Sequence, residues 1–301
     1  MFKKKSHNPL LDPNHTLVES HDILGGYLVD YPNNVPIMEN FDDLTFDVMC
    51  EKDREEFNKL MVLLFNQKES NRLQKVGKYV RLINRKNECH VTPLMMAARM
   101  ARGMESLKIL EFILTNINVN EIDAQDSSGK SALLYACSNI DESSSIEACR
   151  ILLRYGASPN LLDDKGCNAL MVYALNNKSG DSIGLARLLI DHNVNIHESS
   201  TNNKLTALMI ACLRFDYTKD ESLISILIRS GADINKQNQQ GDSILMQLCK
   251  KKLEKSIDVI KLLIKYNASV EIVNQQGHTV IDILFEQKGN KKNEIINLLV
   301  K

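Results

Sequence analysis

The chain has 301 residues, 44% of them hydrophobic and 25% charged, and its formal net charge is −1 at pH 7. This composition is ordinary for a globular protein, and so small a net charge excludes a whole-chain field that would attract nucleic acid or membrane. Aromatic residues make up only 5% and tryptophan is absent, which disfavours a platform that stacks sugars or bases.

The first 45 residues have little hydrophobic periodicity, and we expect them to form a flexible arm. They contain four prolines and the pair Gly25-Gly26, a composition typical of irregular chain. The basic start of the arm is not followed by the apolar segment of a secretory signal. Residues 37–46 mix acidic and apolar side chains and could dock as a short peptide motif, although a solvated tail is the favoured interpretation.

Two amphipathic helices are predicted between residues 46 and 84, because apolar residues recur there at spacings of three and four. The apolar residues of the two helices are Phe57, Leu60, Met61, Leu64, Leu73, Val76, Val80 and Leu82. We interpret this pair as an N-terminal cap on the array that follows, since the outer face of a terminal repeat must end the stack against water.

From residue 85 onwards one pattern recurs six times, and its clearest copy spans residues 126–160. Turn-forming residues run from Asp126 to Gly129, and Ser131 can cap a short helix. A polar crossing leads to a second amphipathic helix, which Gly156 closes in the left-handed conformation that helix ends favour.

The period of this pattern is nearly constant. An aligned apolar residue in the first helix recurs in steps of 39, 37, 38, 37 and 36 residues. The aligned residues are Leu94, Leu133, Leu170, Leu208, Leu245 and Ile281. A fixed period in this range is typical of a stacked repeat array.

Three stretches carry a resemblance to the ankyrin repeat family. They are Thr92-Pro93-Leu94 followed by Ala97-Ala98, Leu152 to Asn160, and Leu227 to Asn235. The resemblance implies an all-α solenoid of stacked helix–turn–helix repeats joined by β-turn loops. It covers the array at 85–301, with approximate repeats at 85–120, 121–160, 161–197, 198–235, 236–270 and 271–301.

The chain departs from the family pattern in two ways. Its period exceeds the family's, which is about 33 residues, and we expect the extra residues between the two helices of each repeat. They would lengthen either the first helices or the loops that join the helices. The second departure is Tyr173, which occupies a position where the family has a small alanine.

The seven cysteines form no Cys-x-x-Cys pair, and three of them indicate a structural role. Cys137, Cys212 and Cys249 recur at one position of the first helix, where cysteine can act as a small buried hydrophobe. We therefore expect reduced thiols and a cytoplasmic or nuclear protein. Delivery into a host cell stays open as an alternative.

The sequence contains no recognisable motif for catalysis, cofactor binding or metal binding. Histidines are not paired at helical spacing for a metal, and neither a phosphate-binding glycine loop nor a nucleophile elbow is present. We therefore expect no catalytic residues, no cofactor and no metal.

The family resemblance implies a protein-binding strip on the concave face, carried by variable residues around each turn glycine. We predict a monomeric, non-enzymatic scaffold or adaptor that binds one or more proteins there. The candidate partner-binding residues are Ser127, Ser128, Lys130, Asp164, Lys165, Asn202, Asn203, Gln239, Gln240, Asp242, Gln275 and Gln276.

Two alternatives stay open. The chain could be a regulatory, inhibitory or targeting subunit of an enzyme complex. It could also bind nucleic acid or anionic membrane through a C-terminal lysine cluster, which is less favoured because no aromatic residues interleave for stacking. The cluster comprises Lys250, Lys251, Lys252, Lys255, Lys261, Lys265, Lys288, Lys291 and Lys292.

Overall fold

A computed structural model describes residues 50–139, 143–177, 183–218, 221–251, 253–287 and 291–299. The regular structure of these residues is helical, apart from two isolated β-bridges beside turns. The predicted all-α class is therefore confirmed. The arm at 1–45 and its motif at 37–46 lie outside the described residues.

The helices come in pairs. The first two are α1 (Glu51–Phe65) and α2 (Arg72–Val76), and a 3-10 segment, Gly77–Leu82, continues α2. The pairs that follow are α3 (Pro93–Arg99) with α4 (Gly103–Asn116), α5 (Ala132–Ser138) with α6 (Ser143–Arg154), α7 (Ala169–Asn176) with α8 (Ile183–Asp191), α9 (Ala207–Thr218) with α10 (Glu221–Arg229), α11 (Ile244–Lys250) with α12 (Leu253–Lys265), and α13 (Val280–Glu286) with α14 (Lys291–Leu299). The domain boundaries expected at residues 45 and 84 stay a prediction.

Every first helix from α3 onwards begins with the same cap. The side chain of the residue before the helix accepts a hydrogen bond from the backbone N–H three residues later, which satisfies one of the free donors of the first turn. The capping residues are Thr92, Ser131, Asn168, Thr206, Ser243 and Thr279. Two residues after the second helices α6 and α10 end stand Gly156 and Gly231, both with φ of +95°, as a left-handed helix terminus requires.

The first helices pack in one row, each against the next from α3 to α13, and the second helices pack behind them. The aligned leucine is at most 1% exposed in all five of its copies, from Leu94 to Leu245. The sixth copy, Ile281 in α13, is half-buried. The aligned positions therefore form the core that runs through the stack, as the period predicted.

Amide side chains also join neighbouring repeats behind the turns. Oδ1 of Asn160 accepts a 2.6 Å hydrogen bond from the backbone N–H of Asn195 in the next repeat. Oδ1 of Asn235 accepts in the same way from the N–H of Ser269, at 2.8 Å. In these two repeats the closing asparagine thus satisfies a backbone donor of the next repeat.

The expectation that all extra residues lie between the paired helices is wrong in two places. The 3-10 segment Val119–Glu121 lengthens the connection before the turn at 126. The turn that starts at Ser200 has one residue more than the others. The Ser200 N–H donates to the carbonyl of Leu205, five residues on, whereas the Asp163 N–H donates to the carbonyl of Cys167, four residues on. Lengthening of the first helix is evident in α9, which has 12 residues, whereas the other first helices from α3 to α13 have 7 or 8.

Tyr173, the bulky departure from the family pattern, is 0% exposed in α7. The residues at its repeat position in α5 and α9 are Ala136 and Ala211. The stack therefore buries a large ring at a position that alanine holds in the repeats on either side.

The three aligned cysteines are buried and free, as expected: Cys137, Cys212 and Cys249 are 0%, 2% and 0% exposed. Burial raises the pKa of the Cys249 thiol to about 12 and that of Cys212 further. Both thiols therefore stay protonated at neutral pH. Within the described ranges, none of the helices is long and apolar enough to cross a membrane.

Candidate functional site

Each turn is shaped by a polar side chain at its first residue. Oδ1 of Asp126 accepts hydrogen bonds from the N–H groups of Ser128 and Lys130, at 2.9 and 2.8 Å. Asp163 does the same in the next turn, as do Asn238 and Asn274 in the last two. This local bonding fixes the backbone of the turn before any partner arrives.

Backbone hydrogen bonds then join each turn to its neighbour. In every case the N–H of the second turn residue donates to a carbonyl of the preceding turn, over 2.9 to 3.1 Å. The bonds are Ser127 to Cys89, Asp164 to Ser128, Thr201 to Lys165, Gln239 to Asn203 and Gln275 to Gln240. We call this series the turn ladder, and it holds successive turn tips in a single row.

The turn glycines allow this close approach. Gly129 and Gly241 have φ of +72° and +77°, in the left-handed region that favours glycine. A Cβ added to Gly129 would lie 2.9 Å from the Asp163 Cα of the next turn, and one added to Gly241 would lie 2.8 Å from Gln275 N. Neighbouring turns therefore touch through their backbones.

The ladder brings the predicted residues together, and eleven of the twelve lie at least partly at the surface. Eight are exposed and form what we call the turn row: Ser127, Ser128, Asp164, Asn202, Gln239, Gln240, Gln275 and Gln276. Lys130, Lys165 and Asn203 are half-buried beside it. The row bears one formal charge, on Asp164, and its last three turns expose amides.

Asp242 is the exception, because only 4% of it is exposed. Its Oδ2 lies 2.6 Å from Nζ of Lys250, and its Oδ1 accepts a 2.8 Å hydrogen bond from Nδ2 of Asn274. A carboxylate held this way from both sides is a structural group, so we leave it out of the proposed binding surface. It links α11 to the turn of the following repeat.

Tyr135 is a residue of this face that sequence reasoning missed. Its hydroxyl donates a 2.5 Å hydrogen bond to Oδ2 of Asp126, and its ring lies 5.9 Å from Nζ of Lys130. Burial, together with the bond to Asp126, raises the pKa of Tyr135. Burial lowers the pKa of Lys130, while the nearby carboxylates of Asp126 and Asp163 oppose that shift. A tyrosine nine residues after a turn aspartate was the available signal.

The lysines of the C-terminal cluster are largely engaged within the protein. Lys250 pairs with Asp242, Lys251 donates to the Leu213 carbonyl at 2.9 Å, and Lys261 and Lys291 both pair with Glu294, at 3.2 and 2.9 Å. Lys292 lies 5.7 Å from the Phe285 ring centroid. Lys252, Lys288 and the side chain of Lys255 lie outside the described residues. Lys261 and Lys291 thus form a mixed-charge surface with Glu294.

Among the described residues, no three His, Cys, Asp or Glu side chains are grouped so that they could hold a metal ion.

Comparison with known families gives two matches. The model for ankyrin repeats in three copies matches residues 59–163 and 142–220, and the model for a single ankyrin repeat matches residues 203–239. Together these ranges cover more than half of the chain.

The similar curated proteins are ankyrin repeat proteins of Acanthamoeba polyphaga mimivirus. One is 34% identical over 118 residues, covering 39% of this chain and 25% of the relative. Another is 29% identical over 131 residues, covering 42% of this chain and 19% of the relative. The matched segments thus span only a fifth to a quarter of these relatives.

Solved structures show the same fold. The ankyrin repeat domain of Bcl-3 has a TM-score of 0.62 and 19% identity, covering 79% of this chain and 97% of that domain. An ankyrin repeat domain from Acinetobacter baumannii has a TM-score of 0.55 and 22% identity, covering 69% and 96%. At these identities the likeness concerns the fold alone.

Proposed function

The chain belongs to the ankyrin repeat family, and from this premise we propose that it is a non-enzymatic scaffold that binds a partner protein on its turn row. Ankyrin repeats are generally protein–protein interaction modules. The observation that carries the proposal is the turn ladder, which fixes exposed tips from five repeats in one row.

A row held by backbone hydrogen bonds favours recognition for an energetic reason. Ordering a flexible loop on binding costs free energy, and a surface that is already ordered avoids most of that cost. The exposed groups are hydroxyls, amides and one carboxylate, which can donate and accept hydrogen bonds across a polar interface. A partner that lies along the row can contact several repeats in series.

We propose that the scaffold acts as a monomer in the cytoplasm or nucleus, as an adaptor or as a regulatory or targeting subunit. The roles differ in what co-purifies with the chain. An enzyme whose activity changes when the chain is removed would indicate a regulatory subunit, whereas two partners held at once would indicate an adaptor.

The test is affinity capture from cell lysate with matched variants. The row variant combines Asp164→Lys, Gln239→Arg and Gln240→Glu, all at exposed tips. The control variant carries Lys108→Glu, Arg187→Glu and Asp258→Lys, at exposed positions of second helices. We expect wild type and control to retain the same protein and the row variant to lose it, with unchanged circular dichroism for all three. Retention by the row variant would refute the proposal.

The nucleic-acid alternative receives little support from the engaged lysines, and it has a separate test. A protein that neutralises phosphates loses affinity steeply as salt rises, by roughly three orders of magnitude or more between 50 and 200 mM for six phosphate contacts. We expect no measurable binding to a duplex DNA oligonucleotide or to anionic vesicles at 150 mM salt. Tight, salt-sensitive binding that is lost on Lys261→Glu and Lys265→Glu would favour the lysine cluster instead.

A further inference from the structure

Two buried thiols face each other inside the second repeat. Cys137 lies in α5 and Cys149 in α6, both 0% exposed, and their Sγ atoms are 3.8 Å apart. We propose that Cys137 and Cys149 are a modification site, at which the two thiols react with a low-molecular-weight disulfide such as glutathione disulfide and become joined by a disulfide bond.

The geometry requires little movement. A disulfide has an S–S distance of about 2.05 Å, so the two sulfurs must approach by less than about 2 Å, a shift within reach of side-chain rotation. The two helices already pack against each other. The bond would therefore join elements that are neighbours in the reduced fold.

The other repeats show that this pairing is particular to one of them. Cys212 and Cys249 stand at the repeat position of Cys137, but the positions equivalent to Cys149 are occupied by Ile224 and Ile260. In those two repeats the aligned cysteine is a small core residue with no cysteine at the position equivalent to Cys149. Of these three repeats, only the second has a thiol opposite the aligned cysteine. The chain thus carries its own internal controls.

The reaction balances as a thiol–disulfide exchange. One protein thiolate attacks a sulfur of glutathione disulfide and releases the first glutathione thiolate, leaving a mixed disulfide. The second protein thiolate then attacks the protein sulfur of that mixed disulfide and releases the second glutathione. The two protein thiols are oxidised, glutathione disulfide is reduced to two glutathione molecules, and the two protein protons pass to these products.

Burial sets the rate of this reaction. The contact with Cys149 and the loss of solvation raise the pKa of Cys137 well above its usual range, and the thiolate is the reactive form. Attack therefore requires local opening of the repeat, of the kind that amide hydrogen exchange detects in native proteins. Once one thiol carries glutathione, the second is close by, so ring closure follows faster than capture of another glutathione.

The test uses the full chain with Cys50→Ser and Cys89→Ser, which removes the two exposed cysteines. After incubation with glutathione disulfide, we expect a protein mass lower by two hydrogens. Both cysteines lie in one tryptic peptide, residues 131–150, so this peptide should also be lighter by two hydrogens and should contain a Cys137–Cys149 bond. The thermal midpoint should rise by roughly 5 °C, since the bond restricts the unfolded chain. The control adds Cys137→Ala, a change with precedent in Ala98 and Ala174 at the same repeat position, and it should show neither effect.

Other outcomes would overturn the proposal. One is a native protein in which both thiols stay reduced, or in which each carries its own glutathione. Another is that Cys212 or Cys249 enters a disulfide as fast as Cys137 and Cys149 do. This would show that oxidation follows unfolding of the chain rather than the pairing of the two thiols in the native fold.

Discussion

The hydroxyl of Tyr135 donates a 2.5 Å hydrogen bond to Oδ2 of Asp126, while Oδ1 of the same carboxylate binds two backbone N–H groups of the turn. Asp126 therefore joins the face of α5 to the tip that carries Ser127 and Ser128. A side chain from the helix holds the shape of a turn in the proposed binding row. This relationship makes the stability of the helix and the order of the tip interdependent.

Removing the hydroxyl should weaken the repeat. For Tyr135→Phe we expect the free energy of unfolding to fall by about 1–3 kcal/mol, because a buried hydrogen bond to a charged acceptor is lost. Urea denaturation measures the change. Tyr155→Phe is the control, since 37% of Tyr155 is exposed, and it should cost less than about 0.5 kcal/mol. Equal losses in the two variants would contradict the role given to Asp126.

The same bond predicts a pH dependence at the alkaline end. Burial and Asp126 raise the pKa of Tyr135 in the folded protein above its unfolded value of about 10. A group whose folded pKa is raised contributes stability below the unfolded pKa and loses it as pH rises towards the folded one. We expect wild type to lose stability above pH ~10 more steeply than Tyr135→Phe. Parallel curves for the two proteins would show that folding does not raise the pKa of Tyr135.

Alanine substitutions at two turn glycines can separate the energetic cost of a clash between turns from the cost of backbone strain. Gly241 and Gly277 have φ of +77° and +80°, but an added Cβ meets the next turn only at Gly241. For Gly277→Ala we expect a loss of about 1–2 kcal/mol from the left-handed backbone. Gly241→Ala should cost at least about 1 kcal/mol more, because the turn ladder must also shift. Similar losses in thermal or urea unfolding would mean that the neighbouring turn gives way freely.

The ion pair of Asp242 and Lys250 should contribute more to the free energy of unfolding than the surface ion pairs of the lysine cluster. Lys250→Met leaves a carboxylate that is 5% exposed without its cation, and we expect a loss of about 2–4 kcal/mol. Lys261→Met breaks the pair with Glu294, in which both side chains are well exposed, and should cost at most about 1 kcal/mol. The two values come from urea denaturation at neutral pH. A small loss for Lys250→Met would indicate that Asn274 alone satisfies Asp242.

The fold was predictable because one residue position repeats its chemistry. The leucine from Leu94 to Leu245 recurs at a nearly fixed step, and each copy is buried where the stack needs it. The row of turn residues followed from the same alignment, since turns at equal repeat positions must lie side by side. These inferences need only the period and the physics of burial.

What the sequence could not predict depends on contacts between repeats. Lys130 and Asp242 hold the same repeat position, yet the first is half-buried and the second is fully enclosed, because only Asp242 meets Lys250 and Asn274. The extra residue of the turn at Ser200 was also missed. Lys204 takes the left-handed conformation there, with φ of +52°, and a lysine gives no signal of a turn end.

That longer turn has a consequence for how the surface can change. In the turn at Ser200, Thr201 donates to one neighbour and Asn203 accepts from the other, so the additional residue, Asn202, stands between the two bonds and takes part in neither. New residues can therefore enter the chain at Asn202 while both bonds persist. The proposed binding surface can grow outward there by insertion, and a short epitope placed at this point would be displayed among the turn tips.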